Sequence, residues 1–168
     1  MITRTVAVAQ LGKYVESVPL QLRAWSEEKM ITPRAVGKWS PLQILGHLCD
    51  SAIHNCRRIV EAPSAEGPYA ITSYNQDKWV EAQQYASAPV DEIIALWESL
   101  NRAMVRVIAA VSVDTLTSCN ILLPNGETHT LEWLVKDYVE HLEHHLKQIS
   151  PDLLLGEEAV SKGVRSLE

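Results

Sequence analysis

Two histidines, His141 and His145, lie one helical turn apart near the end of the chain, with Asp137 a further turn before them. A third, His47, stands far upstream in another segment of helical pattern. Imidazoles at i and i+4 share a helix face and can converge on one ion, about 2.0–2.1 Å from each nitrogen. Neutral imidazole suits divalent zinc, nickel, cobalt and iron. Three such ligands would leave coordination positions open for water or a substrate thiolate. Spacing alone leaves a second reading open, in which these are surface or half-buried helix histidines that never meet. His47 joins the pair only if its helix lies beside theirs. His144 is three residues from His141 and adjacent to His145, so it points to a different face from His145. His54 could line the same groove or pack elsewhere, and His129 falls in a loop.

Other polar groups surround these positions in the sequence. Asp50, three residues after His47, could accept a hydrogen bond from a ligand imidazole, manage a proton, or be an ordinary helix carboxylate. Asp137 and Gln148 stand one turn before His141 and three residues after His145. Between Gly67 and Trp79, Tyr69, Tyr74 and Asp77 are candidate substrate contacts, if that loop covers the open side of the ion. Asp77 is the second candidate proton carrier. Cys49, Cys56 and Cys119 stand in no paired motif and read as inert free thiols.

Four long helices must position these groups. Residues 5–29 carry an apolar stripe, Val8, Leu11, Val15, Val18, Leu22 and Trp25, which Pro19 could kink or divide. The second long helix starts at Ser40-Pro41 with Gln43 completing a capping box, and runs to about Glu61. Residues 62–75 are rich in breakers and read as a loop, followed by a short helix over 75–85. Ser87 and Pro89 suggest the start of the third long helix, 90–110. Residues 112–129 are irregular, with the turn signal Asn125-Gly126 consistent with a small hairpin. Thr130 caps the last long helix, and Pro151 stops it. The expectation is an all-α four-helix bundle with a long crossover between its second and third helices. It spans residues 1–152, with 153–168 as a C-terminal tail of the same domain.

Composition narrows the partners. The formal net charge of −6 and the absence of any Lys/Arg cluster argue against nucleic acid. No apolar run approaches a membrane span. Residues 1–10 lack the basic start and apolar run of a secretory leader, so the expected location is cytoplasmic. There is no HExxH motif, phosphate-binding glycine loop or serine nucleophile elbow. The paired Glu-x-x-His pattern of a di-iron bundle is also missing.

Two longer stretches resemble a known family. Trp39-Ser40-Pro41-Leu42-Gln43-Ile44-Leu45-Gly46-His47-Leu48-Cys49-Asp50 resembles the N-terminal signature of the DinB/YfiT-like superfamily. Asp137 to Ile149, with His141, His145 and the Gln148-Ile149 pair, resembles its C-terminal signature. Asn75-Gln76-Asp77-Lys78-Trp79 is similar to a polar-plus-tryptophan segment of the family's central region. The resemblance covers roughly residues 5–152. It implies a four-helix bundle, often a homodimer, with a divalent ion held by His47, His141 and His145. Zinc or nickel is the typical occupant, with iron, cobalt or manganese as further candidates. The chemistry so implied is a mononuclear centre that activates water, as a hydrolase, or a low-molecular-weight thiol cosubstrate, as an S-transferase, on an unknown small molecule. The alternative is a bundle that binds metal or a small ligand without catalysis.

Overall fold

Helix starts are set by side chains that satisfy otherwise free amides. A computed structural model describes residues 4–155. At the head of α3 (Pro41–Glu61) the Gln43 amide donates to Ser40 Oγ at 3.2 Å, and the Ser40 amide donates to Gln43 Oε1 at 2.9 Å. Thr130 Oγ1 accepts from the Trp133 amide at 3.2 Å and opens α7 (Leu131–Ile149). Asn75 does the same for the short α4 (Gln76–Ala82) through the Lys78 amide, 2.9 Å away. α5 (Val90–Ala110) starts differently from expectation. Pro89 occupies the cap position without a side-chain bond, and the Ser87 hydroxyl turns back to the Gln84 carbonyl at 3.4 Å.

Pro19 neither divides nor ends α1 (Arg4–Arg23). Proline removes one backbone donor from a helix interior, but Leu11, Val15, Val18 and Leu22 on both sides of it are buried, and their packing carries the helix through. The break comes after Arg23. Ser26 then caps the one-turn α2 (Glu27–Ile31) by accepting from the Lys29 amide at 3.2 Å.

The four long helices form the expected bundle. α3 packs on α5 and α7, and α1 packs on the same two. One contiguous apolar core runs between them, with Leu11 and Leu22, Leu45 and Leu48, Ile94, Trp97 and Met104, and Leu142 and Leu146 all buried. Each fully buried side chain of this size contributes roughly 1.5–3 kcal/mol. A polar tie crosses the core: the Tyr138 hydroxyl donates to Asn101 Oδ1 at 2.6 Å, and Asn101 Nδ2 donates to the Trp97 carbonyl at 2.9 Å.

The crossover between α3 and α5 holds β1 (Tyr69–Ala70) and α4. A small sheet, invisible to helix periodicity, ties the two irregular segments together. β1 pairs in parallel with β2 (Asn120–Leu122), Tyr69 opposite Ile121, and β2 pairs antiparallel with β3 (Thr128–Thr130). The β2–β3 hairpin is the one foreshadowed by Asn125-Gly126, with Gly126 at a φ of 89° that suits glycine. A further short helix, α6 (Val113–Ser118), occupies part of the segment expected to be irregular. The expected tail is described only as far as a 3₁₀ turn, Pro151–Leu154, and Leu155. Residues 156–168 lie outside the described residues. Among the described residues no helix is long and apolar enough to cross a membrane.

Candidate metal centre

Contact between α3 and α7 brings the three histidines together. His47 is fully buried on α3, seven residues past its cap, and meets His141 and His145 on successive turns of α7. The Nε2 atoms of His47 and His141 are 3.3 Å apart. Ring centroids lie 5.2 Å apart for His47–His141, 4.6 Å for His47–His145 and 4.5 Å for His141–His145. One nitrogen from each ring falls within 4.8 Å of the other two.

The remaining ring nitrogens show how two of these imidazoles are held. His145 Nδ1 lies 2.8 Å from Gln148 Oε1, and His141 Nδ1 lies 3.4 Å from Ser51 Oγ. An Nδ1–H donating outward fixes the tautomer in which Nε2 presents its lone pair to the cluster. His47 has no such partner on Nδ1, but Trp39 covers its ring at a centroid distance of 5.3 Å. Burial is the first cause that keeps all three rings neutral. It pushes His47 down to about 4, helped by the nearby His145, and His141 down to about 3, helped by His145, His47 and His144. His145 is lowered by burial against the opposing bond from Gln148. Three neutral imidazoles with clustered nitrogens match the donor set of a divalent ion, so the residues fit the metal that the sequence suggests.

The other histidines serve elsewhere. His144 is exposed on a different face; its ring meets that of His145 edge-on at 5.1 Å, and its Nε2 lies 3.1 Å from Gln148 Nε2. His54 stacks on Tyr74, centroids 3.8 Å apart, with Trp79 edge-on at 4.6 Å. Tyr74 and Trp79 therefore form an aromatic clasp with His54. His129 stacks on Trp133 at 4.1 Å, beside the hairpin.

Asp50 and Asp77 occupy contrasting places. Asp50 is fully buried; its Oδ1 accepts from the Tyr85 hydroxyl at 2.8 Å and from Gln83 Nε2 at 3.5 Å, and Oδ2 has no partner. Burial raises its carboxyl above the usual carboxylate range, against the two hydrogen bonds. None of its hydrogen bonds goes to a histidine. Asp77 is exposed on the first turn of α4 and lines a cleft of about 500 Å³ with Trp39, Ile44, His145 and Gln148. Arg34, Gly37 and Lys38 form another wall of it. Tyr69 donates to Glu61 at 2.7 Å on the surface. Asp137 is exposed one turn before His141. Cys49 is buried and its thiol is pushed up by burial, while Cys119 lines a separate surface depression beside Ala62 and Asn120.

Sequence reasoning missed how Tyr85 is used. The Tyr85 ring lies against Gly46, where a Cβ would collide with it, and its hydroxyl reaches Asp50. Glycine directly before His47 lets the crossover seat an aromatic ring against this turn of α3. Gly46 within a helical pattern was the available signal, since an interior glycine lowers helix stability and marks close approach.

Comparison with known proteins agrees with this geometry. The family model described as the DinB superfamily matches residues 16–149. Relatives from Bacillus cereus strain AH820 and Bacillus anthracis, both named "Putative metal-dependent hydrolase", are each 26% identical over 140 residues, covering 81% of this chain and 79% of the relative. Among solved structures, YfiT from Bacillus subtilis, described as a probable metal-dependent hydrolase with an unusual four-helix bundle topology, has a TM-score of 0.78 at 22% identity. The match covers 89% of this chain and 85% of YfiT. A mycothiol-dependent maleylpyruvate isomerase has a TM-score of 0.69 at 13% identity, covering 91% of this chain and 66% of the isomerase.

Proposed function

The chain belongs to the DinB superfamily, and from that premise we propose that it is a metal-dependent enzyme with a single three-histidine centre acting on a small molecule. The observation that carries the reading is the convergence of His47, His141 and His145 with two outward nitrogens tied to Ser51 and Gln148. These three imidazoles would hold one divalent ion, zinc or nickel by donor type, with iron, cobalt and manganese as other candidates. Bound there, the ion would supply Lewis acidity that polarises a substrate oxygen and lowers the pKa of water or a thiol.

The chain's own groups divide the remaining work. Trp39 and Ile44 give the cleft apolar surface, which limits water around the reacting group. Asp77 shares that cleft with His145, so proton transfer to and from substrate is assigned to it. Asp50 is engaged with Tyr85 and Gln83 and serves the centre by holding the crossover against α3. Hydrolysis is the first reading because the Bacillus relatives carry that name. Transfer to a low-molecular-weight thiol is the second, supported by the likeness to a mycothiol-dependent enzyme. The protein is further proposed to be cytoplasmic and homodimeric.

Metal analysis of protein purified without an affinity tag tests the reading, beside a variant with His47→Ala, His141→Ala and His145→Ala together. The expected result is about one ion per chain in the parent and none in the variant, with helicity retained in both. A parent that binds no divalent ion even after reconstitution would remove the proposal. Panels of esters, amides and thiol acceptors then separate hydrolysis from transfer.

A further inference from the structure

The wall of the cleft formed by the segment between α2 and α3 has a chemistry of its own. Resting on the metal reading of the three histidines, we propose that Arg34 and Lys38 recognise a carboxylate on the substrate, set apart from the group that reacts at the centre. Both residues line the cleft that also holds His145 and Asp77. Arg34 is fixed in place: its Nη2 donates to the Ile149 carbonyl at 2.6 Å, one turn beyond His145 on the same helix. A guanidinium carries five donors in a planar fork, so this single bond leaves others for a ligand. The bond also caps the end of α7, a structural duty that accounts for Arg34 by itself.

Lys38 has no such duty. Its ammonium makes no hydrogen bond and no ion pair among the described residues, although Asp77 shares the cleft with it. Two cations against the one carboxylate of Asp77 leave the cleft with an excess of one positive charge. This occurs in a chain whose net charge is −6, so it is no reflection of a generally basic surface. The divalent ion that the histidines would hold adds to this excess, so the cleft favours an anionic group on the substrate. Trp39 and Ile44 beside it offer apolar surface to the carbon chain that links the carboxylate to the reacting group.

The test uses the full chain loaded with cobalt(II) and two thiols that differ only at the far end, mercaptobutyrate and its amide, each with the thiol on the terminal carbon. Binding is read from the thiolate-to-cobalt charge-transfer band. The acid is expected to bind roughly tenfold more tightly than the amide, a preference shared between the solvent-exposed contacts of Arg34 and Lys38. That ratio should narrow as ionic strength rises. Lys38→Met should bring the ratio to about threefold while cobalt content and amide affinity stay unchanged, which also excludes chelation by the carboxylate as its source. Arg34→Met should lower it as well, with its helicity checked because α7 loses a cap. Equal binding of acid and amide, no thiol binding on a cobalt-loaded protein, or a ratio untouched by Lys38→Met would each overturn the carboxylate site and leave the metal reading standing. Failure to take up cobalt would overturn both.

Discussion

Lowering the pH from about 8 to about 6 should barely weaken metal binding. An ordinary imidazole with a pKa of about 6.5 is roughly three-quarters protonated at pH 6, so each such ligand lowers apparent affinity about fourfold and three lower it about seventyfold. Burial instead pushes His47 down to about 4 and His141 down to about 3. At about pH 6 neither holds an appreciable proton for the metal to displace, and each contributes a factor of about one. His145 is lowered too, so its competition amounts to less than about fourfold across the same interval. The sign follows from the direction of the shifts: a lowered imidazole pKa extends the neutral, metal-competent form toward acid, so the steep loss of affinity falls at lower pH than for three ordinary imidazoles. Competition between the protein and a chelator for cobalt(II) at each pH measures the affinity. Calorimetry in two buffers of different ionisation enthalpy counts the protons released. Fewer than about one proton is expected at pH 6, against about two for three ordinary imidazoles. A seventyfold loss, or about two protons released, would refute the reasoning, because it would mean solvated histidines rather than a buried cluster.

Two substitutions test the support around the centre. In Gly46→Ala the new methyl meets the Tyr85 ring. Better helix propensity offers about 1 kcal/mol, while overpacking costs about 1–3 kcal/mol and loss of the Tyr85–Asp50 bond about 1–3 kcal/mol. Urea unfolding should therefore show a net destabilisation of about 3 kcal/mol, and an unchanged or more stable protein would refute the seating of Tyr85. Gln148→Leu removes the partner 2.8 Å from His145 Nδ1. Metal affinity should fall about 10–100-fold with stoichiometry kept at saturation, and an unchanged affinity in the same chelator competition would refute a positioning role for Gln148.

What could be read from the chain alone was whatever acts within one or two turns. Ser40, Pro41 and Gln43 set the start of α3, and Thr130 sets that of α7, because caps work through amides three residues away. The i, i+4 spacing placed His141 and His145 on one face for the same local reason. The family signatures added His47 to them. The bundle class followed from four apolar stripes, and the hairpin from Asn125-Gly126.

Tertiary structure decided the rest. Only the packing of α3 on α7 makes three histidines a cluster, since helix periodicity says which face is apolar and nothing about which helix covers it. The pairing of Tyr69 with Ile121 joins residues far apart in sequence, and a two-residue strand carries no period to detect. Asp50 read as a partner for a ligand imidazole from its place three residues after His47, yet the crossover brings Tyr85 and Gln83 to it instead. Asp77 is a candidate in sequence only on the condition that its segment covers the cleft, and the same crossover is what puts it beside His145. Pro19 shows the converse: a strong local breaker is overridden by buried side chains on both sides of it. Local hydrogen bonding and periodicity are written into neighbouring residues, whereas the cleft and the metal centre depend on contacts that exist only once the helices have packed.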